Sequence, residues 1–327
     1  MKSHTKAAAV LGRLHDGYAA RCDNGRQQKQ DWTDLVAAHF PPDLAADEVE
    51  RPNRLLAETA GDLGLALLWI VQAALIQPGL TLIRQQPGLD KQMAEELAAI
   101  GPAHCGALAH SEAAAHPLVV SPTPTGEVKL SGTKKYITGG QGADFLLVTG
   151  RAAGEEKVSR MIWLPAAAIR DHEIRALDLN ALRTIAHGRL VLEDKKTAGH
   201  YLLPLSASQT RRYLAAWGII ERGLILESFL GLMVYLNRQR AVQLENPLSR
   251  GEKMLKGLIA EQGAAVNEMI GEARSGHRVQ WRSADPLRLR ETVQTILGTD
   301  ETDTPEDPAL AQRLADLCFI RSLWLAS

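Results

Sequence analysis

The chain has 327 residues, of which 45% are hydrophobic and 23% charged, and its formal net charge is −1. That near-neutral balance offers no basic face for nucleic acid, and the 5% aromatic content supplies few base-stacking surfaces, so a nucleic-acid partner is not expected. The length exceeds what a single core usually serves, which predicts two or three sub-domains.

Three cysteines occur, Cys22, Cys105 and Cys318. Their odd number and spacing fit neither a disulfide scaffold nor a zinc module, so a reducing, cytoplasmic setting is expected. Met1 to Arg13 lacks the apolar stretch and cleavage site of a signal peptide. The longest apolar run, Leu63 to Ile76, falls short of the roughly 20 residues that span a bilayer. It reads as a buried core helix, and no membrane association is expected.

Three zones follow in chain order. Residues 1–103 are rich in Ala and Leu. Helices are predicted over Leu55 to Ile76 and Asp90 to Ile100, separated by turn signals at Gln77-Pro78-Gly79 and Pro87-Gly88. Residues 104–205 change texture. Leu118–Val120, Val128–Leu130, Phe145–Thr149, Met161–Leu164 and Arg189–Leu192 are short apolar or alternating stretches set among Gly, Pro, Thr and Asp, which predicts strands. Glu127 to Leu130, after Thr125-Gly126, reads as the outgoing arm of a hairpin. Residues 206–327 return to helix: Arg212 to Arg240, Glu252 to Ala273, Leu287 to Leu297, an acidic Pro-containing linker over Asp300 to Pro308, and Ala309 to Leu325. Helices, then strands, then helices make an α+β chain and not a doubly wound sheet.

The middle zone carries a family resemblance. Leu108-Ala109-His110-Ser111-Glu112 is followed by Leu130-Ser131-Gly132-Thr133-Lys134-Lys135-Tyr136-Ile137-Thr138-Gly139-Gly140, then by Ala143-Asp144 before the apolar Phe145 to Val148. Glu95 to Gly101 precedes them as a lead-in. This succession resembles that of the acyl-CoA dehydrogenases. The resemblance implies an N-terminal helical domain, a central β-barrel-like domain and a C-terminal helical bundle, here shortened. It implies FAD between the β-domain and the bundle, with Ser111 near the pyrimidine edge of the flavin, and Tyr136 and Thr138 along the ring. Such a ring needs hydrogen-bond donors at its polar edge and a flat surface to pack on. Isolated Ser and Thr hydroxyls at strand ends otherwise bond local backbone.

Glu221-Arg222, followed by Leu224–Leu226 and Leu230–Met233, resembles the first bundle helix of the isovaleryl and long-chain members. A glutamate at this place is the base for the α-proton there. A thioester α-C–H is weakly acidic, so the family's chemistry needs a desolvated carboxylate acting with the flavin. The alternative for Glu221 is a pairing with a neighbouring arginine on a solvated helix face, and Glu227 is a competing carboxylate in the same helix. Gln294 to Gly298 resembles a turn by which Gln294 and Gly298 would touch FAD of a neighbouring subunit. Other members carry an alternative base in a Glu-Gly-Thr segment further on; at the corresponding place stand Leu323 to Ser327, which leaves Glu221 for the role.

The chain also departs from the family. Ala113-Ala114-Ala115-His116-Pro117 stands where a Gly-Ser-Asp loop is usual, the Gln294 turn keeps one glycine and is followed by Asp300, Glu301 and Asp303, and Arg240 to Gln294 is short for two long helices. Acidic residues near a pyrophosphate repel it. FAD affinity is therefore expected to be weakened or lost. Two functional readings follow. One is FAD-dependent oxidation of the Cα–Cβ bond of an acyl thioester, on CoA or a carrier protein, with electrons leaving through an electron-transfer flavoprotein. The other is an inactive subunit with a binding or assembly role beside a full-length paralogue. Apolar bundle faces predict at least a homodimer. His104, Cys105, His110, Glu112 and His116 cluster in sequence, but their spacing fits no zinc module and no metal site is expected. Gly139 to Gly142 lacks the Lys-Ser/Thr of a P-loop, and no Gly-x-Ser-x-Gly elbow occurs.

Overall fold

A computed structural model describes residues 2–16, 18, 20, 44, 51–101, 103–112, 115–170, 172–244, 249–284, 307–309 and 311–316. Helix α1 (Lys2–Asp16) is followed by α2 (Pro52–Leu55), which runs into a π-turn at Leu56–Ala60. Next come α3 (Leu63–Ile70), a second π-turn (Val71–Ile76), α4 (Gln77–Arg84) and α5 (Lys91–Ala98). The strands are β1 (Gly106–Ala109), β2 (Val119–Pro122), β3 (Glu127–Thr138), β4 (Phe145–Ala152), β5 (Arg160–Pro165), β6 (Ile174–Ala176) and β7 (His187–Ala198). Helices α6 (Ala207–Leu244) and α7 (Ser249–Arg274) close the order, with residues 311–316 again helical.

The local signals explain most boundaries. Asp62 caps α3, its carboxylate accepting from Leu65 N at 2.9 Å and from Thr184 Oγ1 at 2.6 Å. Asp90 caps α5 through Gln92 N and Met93 N. The π-turn before α3 ends at Gly61 in the left-handed conformation, φ 64°. The expected break at Pro78 does not occur, and Leu55 to Ile76 is not one helix. The interruption falls at Gly61-Asp62, and the second run continues through Pro78 to Arg84. Pro78 sits in the first turn of α4, directly after the π-turn, where a missing N–H removes no required bond. The run Leu63–Arg84 is thus 22 residues, long and apolar enough to cross a membrane by length and composition, contrary to the shorter span expected, and 72% of its apolar window is buried within the fold.

The strands form one mixed sheet in the order β1-β4-β2-β3-β7-β6, with β5 on β4. β2 and β3 form the expected antiparallel hairpin, while β1 runs parallel to β4. β1 and β6, of four and three residues, were not among the predicted strands. The sheet curls around Leu118, Val120, Leu130, Ile137, Leu146, Val148, Ile162, Leu164, Leu190 and Leu192. A second core joins α4, α5 and the outer face of β4 and β5 through Leu80, Met93, Leu97, Phe145 and Trp163. The largest core lies between α3, α6 and α7. Among the described residues no helix intervenes between β1 and β7 beyond short 3₁₀ turns, which is the α+β order read from the sequence.

A buried charge ties the N-terminal helices to the bundle. Arg51, 1% exposed, donates to Glu227 at 2.9 Å, to Asn267 Oδ1 at 2.6 Å and to Gly263 O at 3.3 Å. Glu227 is equally buried, so it is a structural partner and not a free base. Removing one member of such a pair strands the other charge. Arg51→Met is expected to lower unfolding free energy by about 3–5 kcal/mol in urea denaturation, whereas Arg51→Met with Glu227→Leu is expected to recover most of that loss.

Candidate functional site

The chain following β1 brings Ser111 to β3. Glu112 bridges Lys134, and Lys135 N donates to Ser111 O at 3.1 Å. Beneath this contact lies a polar knot. Lys134 Nζ donates to Glu112 Oε1 at 2.7 Å and to His110 O at 3.0 Å, while Arg151 Nη2 donates to Glu112 Oε2 at 2.7 Å. His110 Nδ1 lies 2.9 Å from Thr149 Oγ1. Burial pulls the Lys134 amine down to about 8 against the opposing pull of Glu112. Burial alone raises Glu112, yet the Lys134 and Arg151 hydrogen bonds outweigh it and hold the carboxyl below its usual range. Burial, then Lys134, pushes the His110 imidazole down. The knot fixes the end of β1 against β3, and Ser111 sits exposed above it.

Between Lys134 and Ile137 the ladder from β3 to β7 slips register. Tyr136 occupies this bulge with φ 60° and its side chain is 52% exposed. A left-handed aromatic residue costs about 1–2 kcal/mol and persists only where its surroundings impose it. The bulge turns the ring out of the sheet, and Lys135 Nζ lies 5.0 Å from its centroid. Ile137 enters the barrel core, so Thr138 and its register partner His187 share the outer face. Burial pushes the His187 imidazole down to about 4, against a backbone hydrogen bond at Leu182, and its Nε2 is buried without a hydrogen-bond partner among the described residues. The Ser111 and Thr138 hydroxyls likewise bond no described residue.

Glu221 lies on α6, half-buried. Burial pushes its carboxyl up to about 7, with Arg222 opposing. It forms no ion pair or hydrogen bond with any described residue, so the pairing with a neighbouring arginine is not what the structure shows. Tyr213, eight residues earlier on α6, is deeply buried: burial and then the Glu221 charge raise that phenol, whose hydroxyl donates to Leu75 O in the second π-turn. That π-turn also carries Gln72, whose Nε2 donates to Gly106 O at 2.6 Å and whose Oε1 accepts from Gly106 N at 2.9 Å. Tyr136 and Thr138 thus stand on β3, the Ser111 backbone is bonded to Lys135 beside them, and Glu221 stands on α6 of the bundle. No hydrogen bond or ion pair joins Glu221 to those three. Gln294 and Gly298 lie outside the described residues, as do Ala113 and Ala114.

The clustered histidines go elsewhere. His104 Nδ1 accepts from Gly101 N, Cys105 is buried against Gln72, and Glu112 is held by two cations. Among the described residues no group of three His, Cys, Asp or Glu could hold a metal. Lys134 and His187 were given no role from the sequence. Lys134 stood inside the quoted motif, while His187 is connected to Thr138 only by cross-strand register.

No protein-family profile matches the chain, and no curated protein does. Solved structures do. Butyryl-CoA dehydrogenase from Megasphaera elsdenii is 16% identical, with TM-score 0.59, over 97% of this chain and 93% of that one. A glutaryl-CoA dehydrogenase from Mycobacterium smegmatis in complex with FADH2 is 15% identical, with TM-score 0.63, over 98% and 90%. 3-HSA hydroxylase from Rhodococcus sp. RHA1 is 12% identical, with TM-score 0.67, over 98% and 92%. The fold is that of the acyl-CoA dehydrogenases and related flavoenzymes, in a divergent form.

The Tyr136 backbone gives a direct test of imposed strain. Tyr136→Gly is expected to be more stable than Tyr136→Ala by about 1 kcal/mol, because only glycine adopts φ 60° without steric cost. Thermal melting of the two variants measures the difference; equal melting would remove strain from the account of the bulge.

Proposed function

We propose that this chain holds a flavin, as FAD, on the face formed by Ser111, Tyr136 and Thr138, and oxidises the Cα–Cβ bond of an acyl thioester, with Glu221 as the base. The observation that carries the reading is Glu221, a half-buried carboxylate without a partner among the described residues, whose pKa is pushed up to about 7 by burial. A carboxylate in that state is a stronger base than one in water, and its desolvation is not relieved by an ion pair.

The residues on the sheet suit a flavin. Tyr136 presents an exposed ring from a bulge, and two uncommitted hydroxyls and the unpaired His187 Nε2 lie on or beside the same stretch of sheet. His187 is neutral near pH 7, so it adds a hydrogen-bonding group and not a charge. When bound, the flavin supplies a two-electron acceptor for the hydride leaving Cβ. Glu221 takes the α-proton onto its carboxylate as the C=C bond forms, and Tyr213 holds the helix against the π-turn while it does so. An electron-transfer flavoprotein or a similar carrier is the partner this chemistry calls for. Of the solved structures named above, two are acyl-CoA dehydrogenases and one is a hydroxylase; the partnerless carboxylate favours α-proton removal here.

At saturating FAD the protein is expected to show the absorbance of bound flavin and to oxidise acyl thioesters with an artificial acceptor. Glu221→Gln is expected to keep the flavin and lose about 10²–10⁴-fold in turnover. In the wild type, kcat/KM should rise with pH through about 7 as Glu221 ionises. The sign for stability is opposite. A carboxyl whose folded pKa is raised stabilises the fold at low pH, and this contribution is lost as pH climbs from the unfolded value towards about 7. Wild-type melting should therefore fall relative to Glu221→Gln across that window. A colourless protein at saturating FAD would transfer the conclusion to a binding or assembly subunit.

A further inference from the structure

Beside the Tyr136 bulge, three neighbouring strands place cations in a row. β6 pairs β7 with Arg175 directly opposite Arg189, and the next strand, β3, brings the bulged Lys135-Tyr136 opposite Arg189, between the register pairs Lys134–Leu190 and Ile137–Gly188. Leu190 belongs to the barrel core and Ile174, opposite it, packs on that core. Side chains alternate along a strand, so Arg175 and Arg189 project from the outer face, the one shared by Thr138 and His187. Both arginines are exposed.

Like charges directly opposite on a sheet lie about 4.5–5.5 Å apart at Cβ and destabilise it. Among the described residues no acid relieves the contact. The Arg175 Nε donates only to His172 O, and no described carboxylate pairs with Arg175, Arg189 or Lys135. Glu173, the nearest buried acid, is committed to Lys195 at 2.8 Å. Glu193 lies four residues along β7, about 13 Å away at strand rise. Lys135 leans over the Tyr136 ring, which brings the third cation to the edge of the proposed flavin face.

We propose that Arg175, Arg189 and Lys135 form an anion subsite that takes the phosphate of a ligand whose planar or acyl part lies at Tyr136. Two guanidinium forks side by side match phosphate oxygens in a bidentate manner, which a lone carboxylate does not require. The phosphate comes either from the flavin or from the pantetheine arm of a thioester. The position of the planar or acyl part rests on the proposed flavin face, while the phosphate contact does not.

The test titrates the full chain with two series: riboflavin, FMN and FAD by flavin fluorescence, and pantetheine, phosphopantetheine and CoA by calorimetry. In one series the phosphorylated members should bind about tenfold or more tightly than the parent, with the advantage shrinking as salt rises. The double variant Arg175→Gln, Arg189→Gln should erase that advantage and leave the parent's affinity unchanged. The series that responds identifies the source of the phosphate. The double variant should melt no lower than the wild type, since it removes a repulsion. An absent phosphate advantage in both series, or one that survives in the double variant, overturns the subsite. Tyr136→Ala separates the two proposals: riboflavin binding that ignores this substitution removes the flavin face, while an arginine-dependent phosphate advantage still stands.

Discussion

The joint between sheet and bundle rests on one short slip of helical register, the π-turn Val71–Ile76. It has two tasks that an uninterrupted α-helix on this path would meet less directly. Gln72 presents both ends of its amide to Gly106, behaving as a strand residue against the start of β1. Leu75 offers its carbonyl to the Tyr213 hydroxyl on α6. Each bond is buried, so losing either would leave polar groups unsatisfied in a dry interface. Gly106 has no room for a side chain, because a Cβ would strike Phe145 and Ile76. The sheet is thereby held close to the helix, and α6, with Glu221, is held close to both.

From that joint outward, several positions that break local rules lie near one another on the sheet. Tyr136 takes a left-handed backbone, Arg175 faces Arg189 across a ladder, and His187 buries a nitrogen with no partner among the described residues. Glu221 holds a carboxyl in surroundings that favour its neutral form. Exceptions occur elsewhere too, with Leu182 and Asp194 at positive φ and Asn53 Oδ1 and Trp163 Nε1 buried without a partner among the described residues, but Asp62 and Asp90 cap their helices and Arg51 is answered by Glu227 and Asn267. A fold that satisfies buried charge so fully at Arg51 leaves charge unanswered at the Tyr136 face. Several such inconsistencies close together suit a binding surface.

The sequence made the three zones and the α+β order readable because periodicity changes sharply near residues 104 and 206. It also led to Tyr136, since the surrounding motif is contiguous, and to Glu221, since its apolar flanks are local. What it could not show are relations set by register or distance. Thr138 meets His187 only through pairing of β3 with β7. β6 is three residues long, too brief for any alternation to mark it, so Arg175 had no partner in view. Pro78 read as a stop because a single proline carries that meaning in an α-helix, and the preceding π-turn that accommodates it has no signature of its own.

The two carboxylates of α6 show how far local reading reaches. Glu221 and Glu227 share one helix and similar apolar flanks, and no propensity distinguishes them. They are six residues apart, which at 3.6 residues per turn places them on different faces. The face of Glu227 meets Arg51, 176 residues earlier in the chain, and its charge is neutralised there. Glu221 has no hydrogen-bond or ion-pair partner among the described residues, and Tyr213, eight residues earlier on the same helix, gives its hydroxyl to Leu75. One carboxylate is therefore consumed in holding the N-terminal helices to the bundle. The other has no such partner among the described residues, and its carboxyl stays in surroundings that favour the neutral form. The tertiary partner that each face of α6 meets, not the local sequence, separates the two carboxylates.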